Sequence, residues 1–303
     1  MSKVIRIGTR DSQLALWQAN TVKTQLETLG YKTELISVKS TGDLILDKPL
    51  YELGITGVFT KTLDIAMLNG TVDIAVHSMK DVPTLLPVGI VQTAVLQRAS
   101  SQDILVTNGT PNFEMTSTIA TGSLRRKAQW LHRYPEHQVV GLRGNVNTRL
   151  QKLKENPWQG AIFAKAGLER IEVLPKNYIP LDWMIPAPAQ GAMVVVALDN
   201  DSYCKTATSQ LNVTNSQICT HIEREFLRVL EGGCTAPIGA IATINEDEVH
   251  FKGVLFSLDG QIKLEVERSI QLDQYDNFGS ICALHLLSTG GRELMAAIKK
   301  EMS

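Results

Sequence analysis

VIRIGTRDSQLALWQANTVKTQLETLGYKTELISV occupies residues 4–38 and decides the fold class. VIRIGT (4–9) is rich in β-branched residues and reads as a strand. SQLALWQANTVKTQLETLG (12–30) reads as a helix with Gly30 as its stop, and TELISV (33–38) as the next strand. A strand, a helix and a strand joined this tightly predict a βαβ unit, hence a parallel pair.

The rhythm continues on the C-terminal side. A helix near 57–69 leads to VDIAVH (72–77), then IVQTAVL (90–96) and DILV (103–106); it restarts with STIAT (117–121), a helix from Ser123, VVGL (139–142), a helix from about Asn145, and AIFAKA (161–166). Strands alternating with helices imply α/β architecture with mostly parallel sheets covered on both faces. PAPAQG (186–191) reads as a return crossing before the strand AMVVVAL (192–198), with a hinge there. The last third differs: a helix near 215–230, a GGC turn, strand-like runs at 238–244, 249–256 and 262–270, and a closing helix predict a smaller α+β unit with an antiparallel sheet. The expected division is a first α/β lobe from 1–97 with 192–210, a second from 102–187, and a C-terminal α+β domain over 214–303.

The 303 residues include 44% hydrophobic and 20% charged residues, enough to build a sizeable packed core. Lys and Arg number 30 against 31 Asp and Glu, a formal charge of −1, so no generalised basic surface for nucleic acid is expected. No apolar run reaches the roughly 18 residues of a membrane span, and Arg6, Arg10 and Asp11 interrupt the amino terminus where a secretory signal needs an apolar stretch. A cytoplasmic protein without membrane partners is expected. Cys204, Cys219, Cys234 and Cys282 show no CxxC spacing and read as reduced thiols. Neither GxGxxG, GxxxxGK[ST], HExxH nor a paired-cysteine signature is present, so no nucleotide or metal site is expected.

Open α/β sheets bind ligands at the carboxyl ends of their strands, and four such turns carry unusual polar residues. They are Thr9-Arg10-Asp11-Ser12, His77-Ser78-Met79-Lys80-Asp81, Thr121-Gly122-Ser123-Leu124-Arg125-Arg126 and Arg143-Gly144-Asn145, with Arg149 further into the last helix. Arg125 and Arg126 fall in the first turn of a helix, where the dipole disfavours cations by a few tenths to about 1 kcal/mol each. A bound carboxylate or phosphate would reverse that penalty by accepting from helix amides and guanidinium groups together; the plainer alternative is pairing with Asp or Glu elsewhere in the chain. Asp81 would be an ionised carboxylate in a basic cleft, suited to oppose positive charge developing in a reaction, or an ordinary salt-bridge partner of Lys80 or an arginine. His77, ending a buried strand, reads as structural rather than as a base. Cys234 in EGGCTAPIG (231–239) sits in a Gly-Gly turn ahead of a proline, a setting that presents a thiol on a loop; a buried inert thiol is the alternative.

Together these segments resemble the porphobilinogen deaminase (hydroxymethylbilane synthase) family, end to end. The resemblance rests on TRDSQLALWQA (9–19), STGDLILD (40–47), DIAVHSMKDVP (73–83), GSLRRKAQ (122–129), LRGNVNTRL (142–150), AGLERI (166–171), PAPAQGA (186–192) and LEGGCTAPIGA (230–240). It implies two lobes like those of periplasmic binding proteins, a third smaller domain, and a transferase acting as a monomer. It also implies deamination and head-to-tail condensation of four porphobilinogen molecules into hydroxymethylbilane, with release of ammonia, on a dipyrromethane primer held by a cysteine thioether. Cys234 matches the attachment residue and Asp81 the catalytic carboxylate. Lys80, Ser78, Thr121, Ser123, Arg125, Arg126 and Arg143 match primer-binding positions, and Arg10, Ser12, Arg143 and Arg149 substrate-binding ones. Acetate and propionate groups add two carboxylates per ring, which explains the demand for fixed cations. A thioether resists hydrolysis, which explains Cys rather than Ser.

The sequence departs from the family pattern at Glu52 and Thr56, where lysines are more usual, at Gly122 and Ala189, and at Lys165, which could compensate for the lost loop cations. A rival from another class is a non-catalytic two-lobed binding protein for a small organic anion; it accounts for the hinge and the arginines but not for the GGC turn.

Overall fold

The computed structural model describes residues 3–39, 60–110, 113–230 and 236–302. The opening stretch forms β1 (Val4–Thr9), α1 (Gln13–Thr28) and β2 (Lys32–Ser37), with β1 and β2 parallel and in register from Val4–Lys32 to Thr9–Ser37. Ser12 caps α1 by accepting from the Ala15 amide at 3.3 Å, and Ala19, Val22 and Leu26 of the helix pack with Ile5 and Ile7 of β1. After these come α2 (Lys61–Leu68), β3 (Ile74–Ser78) and β4 (Ile90–Val95). The next block holds β5 (Asp103–Thr107), β6 (Thr118–Ala120), α3 (Leu124–Arg133), β7 (Gln138–Val140), α4 (Val146–Glu155), β8 (Gly160–Ala164), α5 (Lys165–Arg170) and β9 (Tyr178–Pro180). The chain then runs through β10 (Met193–Leu198), α6 (Ser202–Ser209), α7 (Thr214–Val229), β11 (Ile238–Asn245), β12 (Glu248–Phe256), β13 (Lys263–Gln271), α8 (Phe278–Leu286) and α9 (Arg292–Glu301).

Two five-stranded sheets, ordered β2-β1-β3-β10-β4 and β7-β6-β8-β5-β9, form two α/β lobes; a three-stranded antiparallel sheet, β11-β12-β13, underlies the C-terminal α+β part. The sheets are mixed rather than mostly parallel. In each, four strands run in one direction, and the fifth, β10 or β5, lies between two of them and is antiparallel to both. The reason is topological: β5 and β10 are the strands that enter a lobe directly after the chain crosses from the other one, so they run against the strands that helices connect. The strand expected over 161–166 stops at Ala164, where α5 begins, and the closing helix is two helices separated at Gly290, whose φ is +106°. The short strand β9 and helix α6 carry no strong hydrophobic period in the sequence.

The two crossings lie side by side. The Leu96 amide donates to the Met193 carbonyl and the Ala99 amide to that of Gly191, each at 3.1 Å. At Gly191 a side chain has no room: φ is +86°, and a Cβ would stand 2.6 Å from the Ala99 carbonyl oxygen and 2.7 Å from that of Ser100.

Helix α7 seals this junction. Ile222 and Phe226 of its apolar face are fully buried against the C-terminal sheet, and each such side chain contributes about 1.5–3 kcal/mol. On the same helix Glu223, fully buried, accepts from Arg98 at 2.6 and 3.0 Å, from the Ala189 amide at 2.6 Å and from the Ala242 amide at 2.8 Å. One carboxylate therefore fastens both crossings and β11. Burial disfavours the Arg98 charge, but Glu223 holds its ionisation above the ordinary value. Glu223→Ala should lower unfolding stability by about 3–5 kcal/mol, the cost of leaving a buried cation and two amides without their acceptor. Guanidinium denaturation measures this, and a loss below about 1 kcal/mol would contradict the hub role of Glu223.

Candidate active site

A cleft of about 600 Å³ opens between the two α/β lobes. The turn after β1 and the start of α1 bring Arg10 and Ser12 to its wall; β3 and the 3-10 turn Met79–Asp81 bring Ser78, Lys80 and Asp81. The turn before α4 and the helix itself bring Arg143 and Arg149, and α3 brings Arg126. Residues far apart in sequence are gathered because each stands at the carboxyl end of a strand or the amino end of a helix, and those ends face the cleft.

Local bonds set several of these groups. Ser78 accepts from Gln18 Nε2 at 2.7 Å, Lys80 Nζ donates to Gln190 Oε1 at 3.2 Å, and Arg149 Nε donates to the Gly144 carbonyl at 2.8 Å. Asn145 caps α4, accepting from the Thr148 amide at 2.9 Å. The lobes also touch: Asn147 Nδ2 donates to Gln13 Oε1 at 2.8 Å, and the Arg170 guanidinium lies 5.6 Å from the Trp17 ring centre.

Arg125 and Arg126 meet an anion, and it belongs to the chain. Asp103, fully buried at the head of β5, lies 2.8 Å from Arg125 Nη2 and 2.7 Å from Arg126 Nη2. Burial would raise its carboxyl, yet the two arginines, joined by Gln190 Nε2 at 2.9 Å, hold it below the ordinary carboxylate range. The expectation of an external anion for this pair is thus corrected in part: an internal carboxylate offsets the helix-start penalty. Arg126 still reaches the cleft, whereas Arg125, Thr121 and Ser123 do not line it. Arg125 donates to the Ile185 carbonyl at 2.7 Å, Thr121 Oγ1 accepts from the Ser123 amide at 3.3 Å, and Ser123 caps α3 through the Arg126 amide at 3.4 Å. At Gly122 a Cβ would come within 2.5 Å of the Leu142 carbonyl oxygen, so a larger residue has no space there. Lys165 is not part of the cleft wall and lies 3.6 Å from Glu169. Cys234, Glu52 and Thr56 lie outside the described residues.

The cations that do line the cleft are held at a cost. Burial, aided by repulsion from Arg126, lowers Lys80 to about 8 and Arg149 to about 10; burial also lowers Arg143, and it brings Arg170 to about 10. His77, buried beside Arg10, is lowered to about 4 and is neutral at pH 7, consistent with a structural residue. Arg143 Nε is buried without a hydrogen-bond partner among the described residues. A polyanionic ligand would relieve each of these strains at once. The donor set fits a dipyrromethane, whose acid side chains need several fixed cations. Sequence reading missed Asp103, Gln18, Gln190 and Arg170; the signal for Asp103 was an acid heading the apolar strand DILVT, and for the others there was none.

Comparisons with known proteins bear on this cleft. The family described as porphobilinogen deaminase, dipyromethane cofactor binding domain, matches residues 5–206, and the porphobilinogen deaminase C-terminal domain matches residues 217–288. The porphobilinogen deaminase of Syntrophotalea carbinolica is 38% identical over 304 residues, covering 98% of this chain and 96% of its own. That of Campylobacter hominis is 40% identical over 299 residues, covering 96% and 97%. Among solved structures, the periplasmic VFT2 domain of Bordetella pertussis BvgS aligns with a TM-score of 0.42 at 12% identity, covering 69% of this chain and 86% of that one. With both family sequences matched in order and relatives aligned through almost all of its length, the chain belongs to the porphobilinogen deaminase family.

Proposed function

We propose that the inter-lobe cleft is where this enzyme condenses four porphobilinogen molecules into hydroxymethylbilane, with Asp81 as its catalytic carboxylate and Cys234 as the anchor of its dipyrromethane. The observation that carries this reading is a cleft whose wall is rich in arginine and lysine yet presents Asp81 beside Lys80 on one rigid turn. When bound, the dipyrromethane supplies the terminal pyrrole carbon that forms the new bond. The chain's own groups do the rest. Arg10, Lys80, Arg143 and Arg149 bind carboxylates, Arg126 adds charge from its pair with Asp103, and Ser12 and Ser78 offer hydroxyls. Arg125, Thr121 and Ser123 contribute by fixing the start of α3. Asp81 opposes the positive charge that develops on the substrate as ammonia leaves and accepts the proton released when the rings join.

Residues 1–97 with 192–210 and residues 102–187 form the walls of the cleft in this reading, and 214–303 form the domain that presents the cysteine. The described cysteines Cys204, Cys219 and Cys282 are all free thiols, which supports a reducing, cytoplasmic setting. No described helix is long and apolar enough to cross a membrane. A purely binding role leaves the Asp81 turn and the GGC segment without a task.

Asp81→Ala should keep the fold and the primer while turnover falls by about 10²–10⁴, the range for loss of a positioned acid–base group; near-normal product formation would refute its role. Burial raises Cys204 to about 12 and Cys219 and Cys282 to about 11, leaving all three unreactive. Native holoprotein should therefore resist alkylation at pH 8 and exceed its sequence mass by one dipyrromethane. Cys234→Ala should lack that added mass, and active protein with an alkylatable Cys234 would refute the anchor. Lys80 faces Arg125, Arg126, Asp81 and Asp103 and loses its proton as pH rises through about 8. The carboxylates of a dipyrromethane favour the charged ammonium, so loading of primer-free protein, read by intact mass, should weaken between pH 7 and 9, and Lys80→Arg, charged throughout, should flatten that fall.

A further inference from the structure

Arg224 follows Glu223 on α7 and does not line the cleft. Its guanidinium nevertheless reaches the turn that carries Lys80 and Asp81: Nη1 donates to the Met79 carbonyl at 3.2 Å and to that of Val82 at 2.9 Å, and Nη2 donates to that of Pro83 at 2.6 Å. These carbonyls bracket Asp81 on both sides. Met79 and Val82 are buried, and the turn is tethered further by the Met79 amide, which donates to the Ala192 carbonyl at 3.0 Å, and by Lys80 through Gln190. A planar group with five donors can serve three divergent carbonyls, whereas an ammonium presents one point of charge. The same helix ends at Val229 with Leu230 as its cap, and EGGC (231–234) follows in the sequence.

We propose that Arg224 is a positioning residue that fixes the Asp81 turn to α7, so that the helix that fastens the crossings through Glu223 also sets the catalytic carboxylate. This rests on the reading of Asp81 above. Arg224 binds no substrate in this scheme; it acts through the backbone that carries Asp81, and its loss lets that carboxylate drift from the bond-forming centre. Errors of about 1 Å in such placement cost on the order of 10²-fold.

The test is a double-mutant cycle on the purified holoprotein, with primer content read by intact mass. Arg224→Gln should lower kcat by about 10- to 100-fold, with KM changed less than about twofold and the dipyrromethane still attached. Arg224→Lys, which can reach fewer carbonyls, should fall between it and wild type. Placed on Asp81→Ala, Arg224→Gln should cost nothing further, since residues acting as one unit are not additive. Unchanged kcat in Arg224→Gln overturns the proposal, as does a full additional loss on the Asp81→Ala background. So does a fall in kcat that merely tracks a fall in folded fraction by circular dichroism. If Arg224→Gln does not fold, the same two comparisons are made with Arg224→Lys. The Asp81→Ala arm alone separates the two ideas: normal turnover there defeats the reading of Asp81, whereas lost turnover there with normal turnover in Arg224→Gln defeats only the role of Arg224.

Discussion

The buried carboxylate of Glu223 is the constraint on which the rest of this structure depends. An α/β chain that crosses between lobes and returns must leave two extended segments side by side at the junction, and such segments lack the ladder that satisfies strands inside a sheet. Glu223 supplies acceptors to both: the Arg98 guanidinium on the outgoing crossing and the Ala189 amide on the return. Its further bond to the Ala242 amide ties the C-terminal sheet to the same point. Desolvating a carboxylate is costly, and four short hydrogen bonds offset that cost only in one geometry, so the three parts of the molecule meet in a defined way.

From that junction the electrostatics of the cleft follow. Helix α7 reaches the Asp81 turn through Arg224, the return crossing supplies Gln190 to Lys80 and Asp103, and Asp103 locks the start of α3. Fixed cations placed before the ligand arrives need no reorganisation when charge builds up, which is where preorganised sites gain their advantage. The lowered ionisation of Lys80, Arg143 and Arg149 records the cost of burying cations, to which repulsion from Arg126 adds at Lys80 and Arg149, and a ligand rich in carboxylates offsets it.

Much of this was legible in the sequence, for local reasons. Hydrophobic period and helix caps identify β1, α1 and β2, and the strand-to-helix turns point to Arg10, Ser12, Lys80, Asp81, Arg143 and Arg149, all of which line one cleft. Strand direction was not legible, because β5 and β10 are set by where the chain crosses, not by their composition. Nor were the partners of charged residues: Arg126 and Asp103 lie 23 positions apart, Arg98 and Glu223 125, and Arg224 and Val82 142. A sequence signal did exist for two of them. Glu223 interrupts the apolar face of α7 beside Ile222 and Phe226, and Asp103 heads an otherwise apolar strand; a charge in a core position announces a buried partner without naming it.

The sharing of Asp103 by two arginines has a genetic reading. A missense change at this one codon would deprive Arg125 and Arg126 together of their shared carboxylate, although Asp103 is sealed from solvent. Inherited or engineered alleles at position 103 should thus resemble combined loss of both arginines more than loss of a remote core residue. Distance from the cleft therefore understates the reach of a change at position 103, because the ion cluster carries it to Arg126 on the cleft wall.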